Sequence, residues 1–338
     1  MKCMKEFQIG GVNITKSEGD DQKALDASLS LLNLQKKLKG IDRVFIKINL
    51  LVAESYELGT VSDPFILEGI IKEIRKYSDK EIVITESESV WCTEILLGGE
   101  ASAKEEHIAA GLKLALKNSG TQEILDKYNL RFLNATKAPK ASRDDVLKLV
   151  KQHFPKNVKD IDEDMLEMVP SEFLEGNPLF ISYNKMKTHR MRGVGVTLAC
   201  KNLFGLITNP NCVPFHDGGK GLLNSMLSIN LIYNAIFENK VGFVECLRYA
   251  IEGDGPDTEK GVTKKNAGLI VAGENFLEVD TVAIRLMDID SKYTVFVDKL
   301  RSCYPPFKVN LEKIPEEFIA KFRQPEHWEG VPPPEWTA

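Results

Sequence analysis

Within the segment Arg43 to Leu50, Val44-Phe45-Ile46 is apolar at consecutive positions, without the in-out alternation of a half-exposed strand. Such a run reads as a strand covered on both faces, and strands of that kind belong to parallel sheets. The pattern that follows agrees. Phe65 to Tyr77 carries apolar residues at helical spacing, with Asp63-Pro64 as its cap and first-turn proline. Glu81 to Glu86 reads as a second strand, Ala103 to Asn118 as a helix ending before Gly120, and Leu130 to Leu133 as a third strand. Parallel neighbours need crossover connections, so strand, helix, strand, helix, strand predicts an α/β fold with a mostly parallel sheet flanked by helices.

At 338 residues the chain has the length of one large domain or of two lobes. Residues 1–136 read as an N-terminal α/β lobe. Residues 137–177 are charge-rich, with a helix at Arg143 to His153 and an acidic segment at Asp160 to Glu167, and read as an insertion or lobe boundary. Pro178 to Tyr183 resumes as a strand, opening a C-terminal lobe over 178–300. That lobe has helices at Val194 to Leu206 and Leu222 to Glu238 and strands at Val241 to Leu247 and Ala267 to Ala272. The tail, 301–338, holds Pro305-Pro306 and Pro332-Pro333-Pro334 and is expected to wrap the surface.

Chemically able side chains concentrate between Lys185 and His216. Lys185, Lys187, Arg190, Arg192 and Lys201 stand near His189 and His216 in sequence. A strand ending at Tyr183 delivers Lys185 and Lys187 to its C-terminal end, where open parallel sheets bind ligands. Cations there suit a carboxylate or phosphate, although a solvated basic loop is the plainer use of them. Lys201, flanked by Leu198, Ala199, Cys200, Leu203 and Phe204, is expected to be partly desolvated. Desolvation makes a lysine a nucleophile or attachment point; snorkelling or pairing with a buried carboxylate is the structural alternative. His189 and His216 suit proton transfer or metal ligation. Lys47, Asn49, Lys185, Lys187 and Asn202 form the expected substrate-binding set. Glu86, Glu252, Asp254 and Asp280 are oxygen donors suited to a divalent metal, magnesium or nickel being the candidates, although caps and turns are commoner uses of such residues.

A net charge of -5 with its cations clustered locally argues against nucleic acid as a partner and for a small anionic molecule. None of the six cysteines forms a C-x-x-C pair, so no local iron–sulfur or zinc-ribbon motif is encoded, and free thiols in a reducing cytoplasm are expected. The apolar stretch Leu222 to Phe237 is broken by Asn224, Ser225, Ser228, Asn230 and Asn234 and is shorter than a membrane span. Cytoplasmic localisation without membrane association is the expectation, and a homo-oligomer is compatible with it. No G-x-G-x-x-G, P-loop, nucleophile elbow or H-E-x-x-H is present.

Several of these pieces, taken in order, resemble the family catalogued as domain of unknown function 362. They are Val44 to Leu50, Asp63-Pro64, Ile84-Thr85-Glu86, Asn184-Lys185-Met186-Lys187-Thr188-His189, Thr197 to Gly205, Glu252 to Pro256 and Val279-Asp280, spanning roughly Arg43 to Asp288. The resemblance implies no general reaction. Many relatives carry ferredoxin-type cysteine motifs, which this chain lacks, so a redox role does not carry over. A more distant similarity is to lactate racemase-like proteins, in which a histidine, a lysine holding a nickel pincer nucleotide and a metal-binding histidine follow one another. His189, Lys201 and His216 match that order. The functional expectation is an enzyme acting on a small anionic ligand at a Lys/His site, with metal assistance allowed. A nickel-pincer racemase or epimerase using Lys201, and a non-catalytic binding or redox-partner protein, stay open beside it.

Overall fold

The computed structural model describes residues 4–211, 213–216, 221–305 and 309–329, without the side chains of Val213 and His216. Its frame is an eight-stranded sheet in the order β1-β2-β12-β9-β6-β3-β4-β5. β3 (Arg43–Lys47), β4 (Glu81–Glu86), β5 (Arg131–Asn134), β6 (Pro178–Lys185) and β9 (Asn239–Cys246) run parallel to one another. On the β9 side, β12 (Leu269–Gly273), β2 (Val12–Ser17) and β1 (Met4–Ile9) continue the sheet antiparallel. The α/β, mostly parallel architecture is as expected, and β3 pairs directly with β6, so strands from both halves of the chain share one sheet.

Both faces of the parallel region are covered, which explains the unbroken apolar run in β3. Val44 and Ile46 join one apolar cluster with Ile82, Ile84, Ile181 and the helix Pro64–Arg75; Phe45 joins another with Val83, Phe180 and the helices Leu222–Ile236 and Phe276–Met287. This is the two-residue period of a strand applied to two cores. The helix Pro64–Arg75 begins as its sequence predicts: Asp63 accepts from the Phe65 N–H at 2.9 Å, and Ile66, Leu67, Ile70, Ile71 and Ile74 supply the buried face. Among the described residues no helix is long and apolar enough to cross a membrane.

A second sheet, β11-β10-β7-β8, lies at the ends of these strands. It comprises β7 (Lys187–Thr188), β8 (Val196–Thr197), β10 (Tyr249–Gly253) and β11 (Gly261–Lys265). The expected helix over Val194 to Leu206 is therefore a correction: Val196-Thr197 is strand, the helix is only Ala199–Asn202, and Leu203–Leu206 is a 3-10 turn. The β-branched Val194, Val196 and Thr197 favour strand, and Gly195 has φ +66 with no room for a Cβ, which would fall 2.6 Å from the Tyr293 carbonyl oxygen. Sequence patterning also passed over the hairpins β1-β2 and β10-β11, whose strands mix charged residues with few apolar ones. The described tail packs against the second sheet: Arg323 O accepts from Gly253 N and Glu329 O from Arg192 N, both at 2.8 Å. Pro306 and Pro332 to Pro334 lie outside the described residues.

Candidate functional site

At the C-terminal ends of β3, β4 and β6, where a parallel sheet offers its ligand site, a cleft of about 570 Å³ opens. Lys187, His189, Lys201, Asn49, Asn202 and Glu86 all line it. The structure thus brings six residues of the expected set into one cavity. Lys47, Lys185, Glu252, Asp254 and Asp280 are not in its lining, and the His216 side chain lies outside the described residues.

Lys187 is the deepest cation, 0 % exposed, donating to Asn49 Oδ1 and to the Thr60 carbonyl, each at 2.7 Å. Burial first, and then repulsion from Lys201, bring its pKa down to about 7. Lys201 keeps 9 % exposure and lies 5.2 Å from the Phe204 ring centroid. His189, 3 % exposed, accepts the Met191 N–H at Nδ1 (3.1 Å), which places the neutral ring's proton on Nε2.

Asn202 is a tie rather than an open donor. Its Nδ2 is within 3.1–3.2 Å of Ser182 Oγ and the carbonyls of Lys47 and Tyr183, which locks the Lys201 helix to the ends of β3 and β6. Asp280, fully buried, accepts the N–H groups of Ala199 (2.8 Å) and Cys200 (3.0 Å) at the start of that same helix. Burial raises its carboxyl to about 7 against the pull of those donors.

The remaining expected site residues have partners of their own. Lys47 pairs with Glu86 at 2.7 Å, both buried. Burial pushes the Glu86 carboxyl up and the Lys47 amine down, while their attraction and the Ser87 and Leu50 N–H groups favour the ionised carboxylate. Gly205 closes over this pair: a Cβ there would meet Glu86 Oε1 and Lys47 Nζ at 2.8 Å, which accounts for glycine in Lys201-Asn202-Leu203-Phe204-Gly205. Lys185 lies 2.6 Å from Glu245 and 3.8 Å from Asp63, in a buried cluster completed by Arg248 on Asp63. Glu252 binds Lys264 (2.9 Å) and the Arg323 N–H (3.1 Å). Asp254 accepts the Glu326 and His327 N–H groups and faces His327 Nδ1 at 2.8 Å.

The four expected metal donors are not gathered in one place, Glu86 alone lining the cleft. Glu86 spends its oxygens on Lys47 and backbone N–H groups, Glu252 and Asp254 anchor the tail, and Asp280 caps a helix. Among the described residues no group of three His, Cys, Asp or Glu could hold a metal ion. Four described cysteines, Cys92, Cys200, Cys246 and Cys303, are free thiols.

Seven carboxylates line the cleft (Glu54, Glu86, Glu88, Glu94, Asp257, Glu259 and Glu329) against Lys187, Arg190 and Lys201, and sequence reasoning missed those away from the end of β4. Arg190 bonds Asp257 at 3.0 Å and Glu329 at 2.9 Å, so the tail contributes to the wall. Glu54 and Asp257 follow strands β3 and β10 within a few residues and could have been found by reading the loops after strand ends; Glu94 has no such signal. No curated protein and no solved structure matches the chain, so the ordering of His189, Lys201 and His216 stands on those residues alone. A family model matches residues 44–285, through every strand that frames the cleft from β3 to β12, and on that match the chain belongs to the family described as Domain of unknown function (DUF362).

Proposed function

We propose that this cleft binds a small organic molecule bearing a carboxylate or phosphate, and that the protein is an enzyme acting on it. The observation that carries this reading is the meeting of Lys187, Lys201 and His189 at one cavity, Lys187 and His189 from β7 and the residue after it and Lys201 from the helix Ala199–Asn202. Lys201 contacts the anion, and Lys187 behind it adds charge. Two lysines that repel each other in a desolvated place are relieved by an anion beside them, which also restores the Lys187 proton. His189, with Nδ1 accepting the Met191 N–H, offers its Nε2–H as a hydrogen-bond donor to the bound molecule. This reading routes no step through a divalent metal.

Hexanoate and inorganic phosphate serve as probes. Lys201→Ala is expected to weaken whichever of them the wild type binds by about tenfold or more, in line with loss of a charge-assisted contact, with an unchanged far-UV spectrum. Wild-type affinity in a folded Lys201→Ala protein would overturn the assignment. A second reading, a racemase or epimerase holding a nickel-pincer group on Lys201, is favoured by the presence of His189 and Lys201 in the same cleft. It predicts a mass increase located on Lys201 in protein purified from its own host, and unmodified Lys201 there removes it.

A further inference from the structure

Ser87 and Thr197 both line the cleft, at 5 % and 4 % exposure, and neither hydroxyl has a hydrogen-bond partner. Buried polar groups are nearly always bonded, so two orphans in one cavity mark a place where a ligand completes the bonding. Thr197 lies in register opposite Lys187, at the cationic part of the lining.

Another part is acidic. Glu54 comes from the loop after β3, Glu94 from the turn Val90–Leu97, and Asp257 and Glu259 from the loop between β10 and β11. They are close neighbours: burial first, and then repulsion from Glu259, Asp257 and Glu54, hold the Glu94 carboxyl above its ordinary value. Arg190 answers Asp257 and, at 3.9 Å, Glu259. Glu54 Oε1 accepts from Thr258 at 2.5 Å, but its Oε2 is buried with no partner. Glu94 forms no ion pair among the described residues. The spread of these carboxylates does not suit a metal ion, whereas an organic cation can answer several of them at once.

We infer that the ligand is bipolar, with its acidic group at Lys201 and Lys187, an amine or amidine at Glu94 and Glu54, and further polar groups for the hydroxyls of Ser87 and Thr197. The inference rests on the anion-binding reading of the cationic end. A volume of about 570 Å³ accommodates such a molecule with room for its linker.

The test compares hexanoate, 6-aminohexanoate and 8-aminooctanoate by ligand-detected NMR on the full chain. At least one amino acid probe should bind about tenfold tighter than hexanoate, as one added charge-assisted contact allows. Glu94→Gln and Glu54→Gln should remove that gain without weakening hexanoate; Lys201→Gln should weaken all three. If hexanoate binds in a Lys201-dependent way but the amine brings no gain, or the gain survives both glutamine variants, the bipolar inference falls and the anion site stands. If hexanoate plus magnesium reproduces the gain and Glu94→Gln abolishes it, the acidic part is a metal site and the inference is again overturned. If no probe binds, both readings fall.

Discussion

Replacing Lys187 by methionine isolates the energetic cost of holding an amine in the floor of the cleft. Its pKa falls from an ordinary 10.5 to about 7, chiefly because burial removes water from the charged form. At about 1.36 kcal/mol per tenfold change in proton affinity, that drop corresponds to about 5 kcal/mol. Between about pH 7 and pH 10.5 the unfolded chain holds a proton on Lys187 that the folded protein lacks, so wild-type stability gains about 1.4 kcal/mol per pH unit from this group as pH rises. Below pH 7 both states are protonated and the full penalty applies. Methionine abolishes the titration but leaves Asn49 Oδ1 and the Thr60 carbonyl without their donor, a constant cost of about 1–3 kcal/mol each. Other groups titrate in both proteins and cancel in the difference. From about pH 7 to about pH 9.5, Lys187→Met should therefore lose about 3 kcal/mol relative to wild type, whatever the constant offset. Urea unfolding followed by circular dichroism at several pH values measures this directly. Stability curves that run parallel to within about 0.5 kcal/mol would refute the claim that Lys187 is a depressed, buried amine.

The other predictions concern how the cleft is held together. Gly205→Ala forces a methyl group onto the Lys47–Glu86 pair and should destabilise by about 1–3 kcal/mol; an unchanged urea midpoint argues against that closure. Asp280→Ala leaves the Ala199 and Cys200 N–H groups buried without an acceptor and should cost about 2–5 kcal/mol, while Asp280→Glu, if the cap were dispensable, would behave no better than alanine. Asp254→Ala should release the chain at Glu326 and His327, seen as about tenfold or greater faster amide exchange there; retained protection would show that other contacts hold the tail. Binding of hexanoate at about pH 8 should take up a fraction of a proton, because an anion beside Lys187 raises its pKa from about 7. Calorimetry in buffers of different ionisation enthalpy reads this, and no buffer dependence excludes Lys187 from the anion site.

How much was legible follows from what each signal depends on. The helix cap at Asp63-Pro64, the strand Glu81–Glu86 and the helix Arg143–His153 depend on residues adjacent in sequence, and their predicted bounds agree with the structure or differ only slightly at one end. Val194 to Leu206 misled because its apolar spacing suits a helix while Gly195 and the pairing of Thr197 with Lys187 make its first part strand. The hairpins β1-β2 and β10-β11 escaped notice because each has one charged, half-exposed strand, β1 and β11, that shows little hydrophobic pattern, paired with a short strand of few apolar residues, β2 and β10. Residue type and position marked Lys47, Lys185 and Lys187 alike as substrate-binding cations, with Lys201 set apart only by its apolar flanks.

By itself the sequence determined the α/β class, the parallel core and the neighbourhood of the chemistry, because alternation, capping and strand-end position are local properties of a chain. Only the tertiary structure decided which lysines line the cleft. Lys47 and Lys185 each face a carboxylate brought in from another strand, Glu86 and Glu245. Lys187 and Lys201 line the cleft, where Lys187 feels both the repulsion of Lys201 and the attraction of Asp257 and Glu54. Charge compensation acts through space over a few ångströms, and the partners that cancel or preserve a charge lie far along the chain.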